Sequence, residues 1–269
     1  MQEFKRNERI SIITKILMEH PNRIYGLDFF VDMFKTAKST ISEDIAIIKD
    51  AMIKSGMGDI HAVLGAGGGI RYVPDIPYED KLVFANRLAE MMSQPDRIIP
   101  GGYIYMNDIM YRPDLADTMG LILAGYFMKE DLDYVVTVET KGIPLAMAVA
   151  RQLDKPLLIV RRENRVTEGS AISINYVSGS SRRIQTMSLS RRSLSSGSRV
   201  VFIDDFMKAG GTAKGILDLM KEFGAEVVNN GVLVATSIPV DKLVDKYIAL
   251  FTLYGIDEFT GEIDIRSNL

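Results

Sequence analysis

The spacing of hydrophobic positions divides the chain near residue 74. Before that point, apolar residues recur every three or four positions, which is typical of amphipathic helices. Two apolar runs, 60–64 and 70–73, then flank the glycine-rich stretch 65–69, and this pattern predicts a β-hairpin. Three helices followed by a hairpin predict a winged-helix domain over residues 1–74. The helices are expected over residues 6–19, 27–34 and 40–54, with Thr40 and Glu43 forming a capping box at the start of the third.

After Pro74 and Pro77, helical runs alternate with short apolar segments of strand length. This alternation predicts βαβ units, and therefore a parallel α/β sheet with helices on both faces, over residues 75–269. Residues 165–199, rich in Ser, Gly and Arg, interrupt it with two strand-like runs, which predict a mobile hairpin that closes over a ligand. The sheet strands are expected at 133–138, 157–160, 200–203 and 231–234, and the helices at 78–93, 115–127, 145–153 and 213–223.

The segment after the strand at 200–203 carries the most informative chemistry in the sequence. Asp204 and Asp205 follow the strand, and a turn of small residues then leads into a helix. In open α/β sheets, ligands bind at the carboxyl ends of strands, and phosphates bind at the N-terminus of the next helix. Two carboxylates suit the hydroxyls of a vicinal diol, and Lys208 adds a point charge for a phosphate. The predicted site for a ribose 5-phosphate is completed by Ala209, Gly210, Gly211 and Thr212.

The prediction depends on the complete string, because an Asp-Asp pair is usually a solvated loop and a Gly-Gly-Thr turn usually only starts a helix. In its strand–turn–helix context, the string resembles the phosphoribosyl pyrophosphate (PRPP) loop of type I phosphoribosyltransferases. A second strand, at 133–138, is followed by Thr140, Lys141 and Gly142 and then by a helix. Such a turn alone is ordinary in α/β proteins. Beside the first segment, it resembles the pyrophosphate loop of the same enzymes, in their xanthine and adenine branch.

Composition sets the general class of the protein. At 269 residues, with 47% hydrophobic and 25% charged residues, the chain has the composition of a globular protein. It has no cysteine, which excludes disulfides, a thiol nucleophile and thiolate metal ligands. His20 and His61 lie far apart in sequence, so we expect no histidine metal site. The charged N-terminus and the lack of a long apolar run predict a soluble, cytoplasmic protein.

Charge is distributed unevenly along the chain. The formal net charge is −3, yet residues 151–199 contain 10 Lys and Arg against 3 Asp and Glu, which indicates a polyanionic partner. Residues 1–73 are nearly neutral, with 10 against 9, and a three-helix module of this kind could also mediate protein contacts. If the module binds DNA, we expect contacts from the third helix, the N-terminal arm and the wing. The predicted DNA-contacting residues are Lys5, Arg6, Lys35, Lys38, Ser39, Thr40, Ser42 and Arg71.

The two halves together resemble one family, the purine operon regulators of Gram-positive bacteria, in which a winged helix is fused to a phosphoribosyltransferase domain. The resemblance is carried by residues 39–45, 100–103, 140–146, 166–170, 173–181 and 203–211. It implies a homodimeric transcription factor without transferase activity that binds double-stranded DNA upstream of purine biosynthesis genes. It also implies PRPP as the effector, with competition from nucleotides of the guanosine tetraphosphate (ppGpp) type. The implied effector site comprises Tyr103, Thr140, Lys141, Gly142, Asp204, Asp205, Phe206 and 208–212.

Two residues bear on whether the chain is an enzyme. Glu139 differs from the small residue expected in the regulators and is closer to the enzymes. Lys208 stands where enzymes resembling the hypoxanthine-guanine branch place an acidic base, and a cation cannot serve as that base. This argues against one enzyme mechanism and leaves an adenine- or xanthine-like one open. The alternative is a purine phosphoribosyltransferase with an autoregulatory DNA-binding domain. A third hypothesis is a ribose-phosphate-binding scaffold that uses its N-terminal module for protein contacts.

For a regulator, we expect a repressor whose DNA binding is weakened by PRPP, because the ligand would order the arginine-rich segment and remove its positive potential from the DNA path. A PRPP-responsive activator of the same genes stays open. Mg²⁺ would accompany the pyrophosphate, since this cation usually keeps its waters and binds phosphates with one or two carboxylates. We expect no metal site built by the protein alone.

Overall fold

The computed structural model describes residues 4–65, 67–162, 169–177 and 184–269. These residues form two compact units. One unit runs to Asp80 and includes Arg151–Asp154, and the other comprises Lys81–Ala150 and Lys155–Leu269. The domain boundary expected after residue 74 stays a prediction.

The N-terminal unit contains three helices and a hairpin, in the order that the hydrophobic spacing predicts. Ile41, Ile45 and Ile48 form one stripe along the third helix, and they are buried in a cluster with residues of the other two helices. Burial of this stripe is what holds a short helical module together, because isolated helices of this length are marginal in water. The elements are α1 (Arg6–Glu19), α2 (Leu27–Phe34), α3 (Lys38–Ser55), β1 (Gly58–Val63) and β2 (Gly69–Pro74), with β1 antiparallel to β2.

The capping box expected at the start of α3 is wrong. The helix begins at Lys38, two residues earlier, and Thr40 lies within its first turn. The N-cap residue is Ala37, which makes no side-chain cap. The first turn closes through the Ile41 N–H and the Ala37 carbonyl oxygen at 3.2 Å. Because Ile41 is fully buried, core packing rather than a polar cap positions the start of this helix.

After the N-terminal hairpin, the described part of the chain continues with further strands and helices. The strands are β3 (Ile98–Ile99), β4 (Tyr103–Ile104), β5 (Tyr134–Val138), β6 (Leu157–Val160), β7 (Ala171–Val177), β8 (Ile184–Ser190), β9 (Arg199–Met207), β10 (Glu226–Thr236), β11 (Ile248–Asp257) and β12 (Glu262–Ser267); the helices are α4 (Tyr78–Met92), α5 (Asn107–Met110), α6 (Pro113–Gly125), α7 (Ile143–Leu153) and α8 (Gly211–Glu222).

The larger unit is built on a six-stranded sheet of described residues with the order β12-β11-β10-β9-β5-β6. Its neighbouring strands are parallel except for β11 and β12, which are antiparallel. The predicted α/β architecture is therefore confirmed, with one antiparallel edge strand added.

Alternate residues of β9 pack on opposite faces of the sheet, as the two-residue period of a strand requires. Val200 and Phe202 belong to a buried cluster on the face that α8 covers. On the other face, a Cβ built on Gly231 would lie 2.8 Å from Ile203 Cδ1 and 3.0 Å from the Phe127 ring. The strand is buried on both sides, which explains its nearly continuous apolar sequence.

The hairpin of β7 and β8 packs on α8. Gly215 of α8 is the contact point, since a Cβ there would lie 3.0 Å from Tyr176 Cγ and 3.1 Å from the Met187 sulfur. Tyr176, Met187 and Leu189 are part of the buried core, and none of the described hairpin residues lines the cavity described below. The segment expected to close over a ligand also includes residues outside the described part of the chain, so this expectation stays a prediction. Residues 163–168 and 178–183, which include Arg165, Arg182 and Arg183, lie outside the described residues.

Two further differences concern the strands. β9 extends to Met207, so Asp204 and Asp205 lie within the strand rather than after it. β11 and β12 have no counterpart in the prediction. β12 alternates polar and apolar residues over only six positions, which suits a half-exposed edge strand and is a weak signal in sequence.

Candidate functional site

The turn from β9 into α8 has the form of an anion site. Gly210 adopts φ +80°, a left-handed conformation that favours glycine, and α8 begins at the next residue. The first N–H groups of a helix have no acceptor within it, so they are available to a ligand. Lys208 is exposed, and it lines one cavity together with every residue from Ala209 to Thr212. Backbone donors, a hydroxyl and a cation are thus brought together as a phosphate requires.

The two carboxylates of β9 differ in their environments. Asp204 is buried, with 9% of its surface exposed, whereas Asp205 is half-buried. The Asp205 N–H donates to Asp204 Oδ1 at 3.0 Å. Burial, followed by the negative charge of Asp205, raises the pKa of Asp204 well above its usual range, and Arg162 opposes this rise. Hydroxyl donors of a diol would stabilise the ionised form of this carboxyl.

The loop between β5 and α7 approaches Asp204 closely at Gly142. A Cβ on Gly142 would lie 2.7 Å from Thr137 Oγ1 and 2.8 Å from Asp204 Oδ1, which is too close for any side chain. Thr140 and Lys141, the residues before the glycine, are exposed and line the same cavity. The structure therefore brings the two loops predicted from sequence to one place, as adjacent parallel strands β5 and β9 require.

The cavity has a volume of about 600 Å³ and two chemically distinct sides. One side consists of the carboxylates and the two loops. The other side is apolar and includes Ile99, Tyr103 and Ile104 from a small hairpin, β3 and β4, which we call the hood hairpin. Of the predicted effector residues, all but Gly142 line the cavity. Lining residues without a counterpart in the sequence prediction are Ile99, Ile104, Met106, Val138, Glu139, Arg162, Phe202, Met207, Ala213 and Val232.

The hood hairpin is held at its base and at its tip. At the base, the Arg97 guanidinium donates to both carboxylate oxygens of Asp108 at 2.7 Å, and it holds the pKa of that carboxyl below its usual range. At the tip, the N–H groups of Gly101 and Gly102 donate to Glu258 Oε1 at 3.1 and 2.8 Å. The apolar wall of the cavity is therefore fixed in place without a ligand.

Glu139 connects the loop after β5 with Arg161 and Arg162, which follow β6. Its Oε1 accepts from the Arg162 N–H at 2.8 Å, and its Oε2 lies 3.4 Å from Arg161 Nη1. Arg162 itself lines the cavity. The acidic residue that distinguishes this loop thus holds a cationic residue at the edge of the site.

In the N-terminal unit, the predicted DNA-contacting residues of α3 form an accessible surface. Lys38, Ser39 and Ser42 are exposed, and Thr40 is half-buried. Lys35 and Lys38 are close to acidic residues of α2: Lys38 Nζ donates to Asp28 at 3.1 Å. Exposed ion pairs of this kind contribute little, so they leave both lysines available to a phosphate.

Arg6 has a different environment from the one expected of a DNA contact. Its guanidinium lies 3.1 Å from Glu43 and 3.2 Å from Asp44, and Arg9 lies 2.7 Å from Asp44. Asp44 is fully buried on α3. These pairs join α1 to α3, so the structure gives Arg6 a role within the fold. The sequence did carry a signal for Asp44, because it falls on the apolar stripe of α3 next to Ile45.

The two remaining predicted contacts lie at the edges of this unit. Lys5 is exposed and precedes α1, where its N–H donates to Glu8 Oε2 at 2.7 Å. Arg71 lies on β2 opposite His61 and is half-buried. Its Nε is buried and has no hydrogen-bond partner among the described residues. The contacts of all these residues with DNA stay predictions.

Among the described residues, no group of three or more His, Cys, Asp or Glu side chains is arranged to hold a metal ion. No helix in the described part of the chain combines the length and apolar character needed to cross a membrane.

Two family models match the chain. Residues 5–74 match the N-terminal domain of the bacterial purine repressor, and residues 113–264 match the phosphoribosyl transferase domain. Among solved structures, adenine phosphoribosyltransferase from Thermoanaerobacter pseudethanolicus superposes with a TM-score of 0.54 at 17% identity, over 62% of this chain and 98% of that one. This likeness concerns the fold alone.

Two curated relatives are similar over almost their full lengths. The purine biosynthesis transcriptional repressor PurR of Bacillus subtilis is 45% identical over 98% of this chain and 93% of that protein. The purine biosynthesis transcriptional activator PurR of Lactococcus lactis is 39% identical over 97% of each. The resemblance to the purine operon regulators is thereby confirmed. The chain belongs to the bacterial purine repressor family, in which the N-terminal domain of that family precedes a phosphoribosyltransferase domain.

Proposed function

We propose that the protein is a DNA-binding regulator of purine biosynthesis genes and that PRPP is its effector. The observation that carries the proposal is one cavity, bounded by Asp204, Asp205 and the two loops, in a chain that also has the N-terminal domain of purine repressors. Relatives named as purine biosynthesis regulators over nearly the whole chain support the regulatory role.

In this proposal, each part of PRPP has its own partner in the cavity. The ribose diol binds the Asp204 and Asp205 carboxylates, the 5-phosphate binds the 208–212 loop, and the pyrophosphate binds Thr140 and Lys141. Mg²⁺ binds with the pyrophosphate rather than in a site made by the protein. The apolar wall around Tyr103 and Phe206 suits a purine base, and therefore a competing nucleotide of the guanosine tetraphosphate type.

DNA binding falls to the N-terminal unit. α3 presents Ser39 and Ser42 as short donors and Lys38 as a cation on an exposed surface. Short polar side chains at the start of such a helix suit base edges, and lysines suit phosphates. A homodimer would place two such helices on one operator, and sedimentation of the purified protein tests this stoichiometry.

A regulator without transferase activity is favoured over an enzyme by the chemistry of two residues. Lys208 offers a cation where enzymes resembling the hypoxanthine-guanine branch place a carboxylate base, which argues against that mechanism and leaves an adenine- or xanthine-like one open. Glu139, the residue closer to the enzymes, is engaged by Arg161 and by the Arg162 N–H. The phosphoribosyltransferase domain keeps the enzyme as the second candidate. Incubation with PRPP, Mg²⁺ and a purine base separates the two, since only the enzyme releases pyrophosphate.

The direction of regulation follows from which state binds PRPP better. A repressor is released if PRPP prefers the DNA-free state, and the coupling free energy is typically about 1–3 kcal/mol. An activator would keep its DNA and change transcription instead. A gel-shift titration against DNA from upstream of purine biosynthesis genes, with and without PRPP and Mg²⁺, decides between them.

The matched test of the effector site uses two double variants. Asp204→Ala with Asp205→Ala removes the diol carboxylates and should abolish the PRPP response while DNA binding persists. Asp114→Ala with Asp117→Ala removes two exposed carboxylates of α6 and should respond like the wild type. A first double variant that still responds to PRPP would place the effector elsewhere.

A further inference from the structure

Lys242, in the segment after β10, has an ammonium group with three neutral acceptors. Its Nζ donates to the Lys208 carbonyl oxygen at 2.5 Å, to the Thr236 carbonyl oxygen at 2.7 Å and to Thr236 Oγ1 at 3.2 Å. Burial lowers the pKa of this ammonium, and no acidic side chain of the described residues opposes the shift. A half-buried cation without a carboxylate partner among the described residues costs free energy, so its presence indicates that the charge has a role at this position.

The same segment contacts the outer side of the phosphate loop at further points. The Leu243 N–H donates to the Ala209 carbonyl oxygen at 2.9 Å. Thr236 Oγ1 donates to the Ile238 carbonyl oxygen at 2.7 Å and lies 3.2 Å from the Lys208 carbonyl oxygen. Gly210 sits directly against it, since a Cβ there would lie 3.3 Å from the Leu243 nitrogen. Two successive carbonyl groups of the loop are therefore held by the 236–243 segment, away from the cavity.

The orientation of these carbonyls matters for the bound anion. A peptide carbonyl turned toward a phosphate would repel it, whereas the N–H groups of the next residues attract it. Contacts that hold the Lys208 and Ala209 carbonyls on the outer side leave the N–H groups at the start of α8 for the ligand. The uncompensated charge of Lys242 lies on the same side and adds a favourable potential at the phosphate.

We infer that Lys242 is a positioning residue for the phosphate end of the cavity, which fixes the 208–212 loop from behind and adds positive potential without touching the ligand. The inference rests on the proposed function, because it takes this loop to receive the 5-phosphate of a phosphorylated ribose. Lys242 is not among the residues that line the cavity, and it lies outside the sequence motif, 34 residues from Lys208.

The test compares two probes in calorimetric titrations of the full chain: ribose 5-phosphate, which reports the 208–212 loop, and inorganic pyrophosphate, which reports the loop after β5. Lys242→Met keeps the aliphatic stem and removes the donors and the charge. We expect it to weaken ribose 5-phosphate binding about tenfold, in line with the loss of charge-assisted hydrogen bonds, and to leave pyrophosphate binding within about twofold. Lys242→Arg should restore most of the loss.

Two further variants make the result specific. Lys221→Met removes the same charge from the exposed C-terminal turn of α8, roughly 15 Å along the helix from Gly211, and should change neither affinity. Lys242→Gln keeps a hydrogen-bond donor and loses only the charge, so it should show a loss of the same selectivity that is smaller than that of Lys242→Met.

Unchanged ribose 5-phosphate affinity in Lys242→Met, or an equal loss for both probes, would overturn the inference. A wild-type protein that binds neither probe would instead overturn the proposed effector site, and the role of Lys242 with it.

Discussion

Gly142→Ala is the sharpest test of how the two loops of the cavity depend on each other. The added Cβ would lie 2.7 Å from Thr137 Oγ1, 2.8 Å from Asp204 Oδ1 and 3.2 Å from Asp204 Cα. The first two distances are about 0.6–0.7 Å short of the 3.4 Å at which ordinary van der Waals contact begins. The third involves backbone, so rotating one side chain cannot relieve the crowding. Thr137 is fully buried and has no free space either.

The expected cost follows from crowding in a packed interior, which is typically about 1–3 kcal/mol. Because the crowded atoms include the Asp204 carboxylate, we expect this cost to appear mainly as lost PRPP affinity, between about fivefold and 150-fold. DNA retention without effector should stay unchanged. The affinity is measured by calorimetry with PRPP and Mg²⁺, and the DNA retention by gel shift.

Gly125→Ala is the matched control, since a Cβ at this last residue of α6 meets nothing within 4 Å. It makes the same chemical change without the clash and should bind PRPP like the wild type. If Gly142→Ala binds PRPP as tightly as Gly125→Ala, then the close approach of the two loops is not a condition for binding, and the reasoning is refuted.

Three other substitutions test separate parts of the structure. The raised pKa of Asp204 means that the folded domain holds this proton more tightly than the unfolded chain, whose carboxyl titrates near 3.8. The contribution of this one group to stability is therefore fully present below about pH 4 and is lost as pH rises through the folded-state pKa. Asp204→Asn should remove this loss, so that urea unfolding shows a variant more stable than the wild type at pH 8 and a difference that vanishes toward pH 4; parallel pH profiles would contradict this. Asp44→Asn leaves Arg6 and Arg9 beside a neutral partner and should destabilise the N-terminal unit by about 3 kcal/mol, whereas Glu43→Gln, which is exposed, should change its stability by less than about 0.5 kcal/mol in the same thermal unfolding assay. Lys38→Met should reduce the slope of log affinity against log salt by about 1 in DNA titrations, while Lys54→Met at the other end of α3 should leave it unchanged; equal slopes in the two variants would remove Lys38 from the phosphate contacts.

The polar half of the site could be predicted from the sequence because its chemistry is local. A strand, two carboxylates and a small-residue turn stand within residues 200–212, and neighbouring strands carry the loop after β5 to the same edge of the sheet. Backbone donors need only glycine and a helix start, and both are visible in a short segment. The winged-helix order of elements was predictable for a similar reason, since each helix has its own apolar stripe.

The apolar half could not be predicted, because its residues are distant in sequence and look like core residues. Ile99 comes from the hood hairpin, Met106 from the residue before α5, and Phe202 and Val232 from two sheet strands. Nothing in their local pattern distinguishes a residue that lines a cavity from one that fills a core. Lys242 could not be predicted for another reason. Its inferred role depends on backbone carbonyl groups, which every residue has and which therefore give no signal in the sequence.

The contact at Gly215 has a mechanical consequence. Gly211, at the first turn of α8, and Gly215 are one helical turn apart, roughly 6 Å, on a segment that is stiff along its axis. Because a Cβ built on Gly215 would lie only 3.0 Å from Tyr176 and 3.1 Å from Met187, α8 and the hairpin are closely packed there, and we expect a shift of α8 to push these two side chains. Strand β8 of the hairpin is in turn bonded to Arg161 by two backbone hydrogen bonds. The Arg161 N–H donates to the Ser188 carbonyl oxygen at 3.0 Å, and the Ser188 N–H donates to the Arg161 carbonyl oxygen at 2.7 Å. We therefore expect a displacement of the phosphate loop to be transmitted through α8 and the hairpin to Arg161.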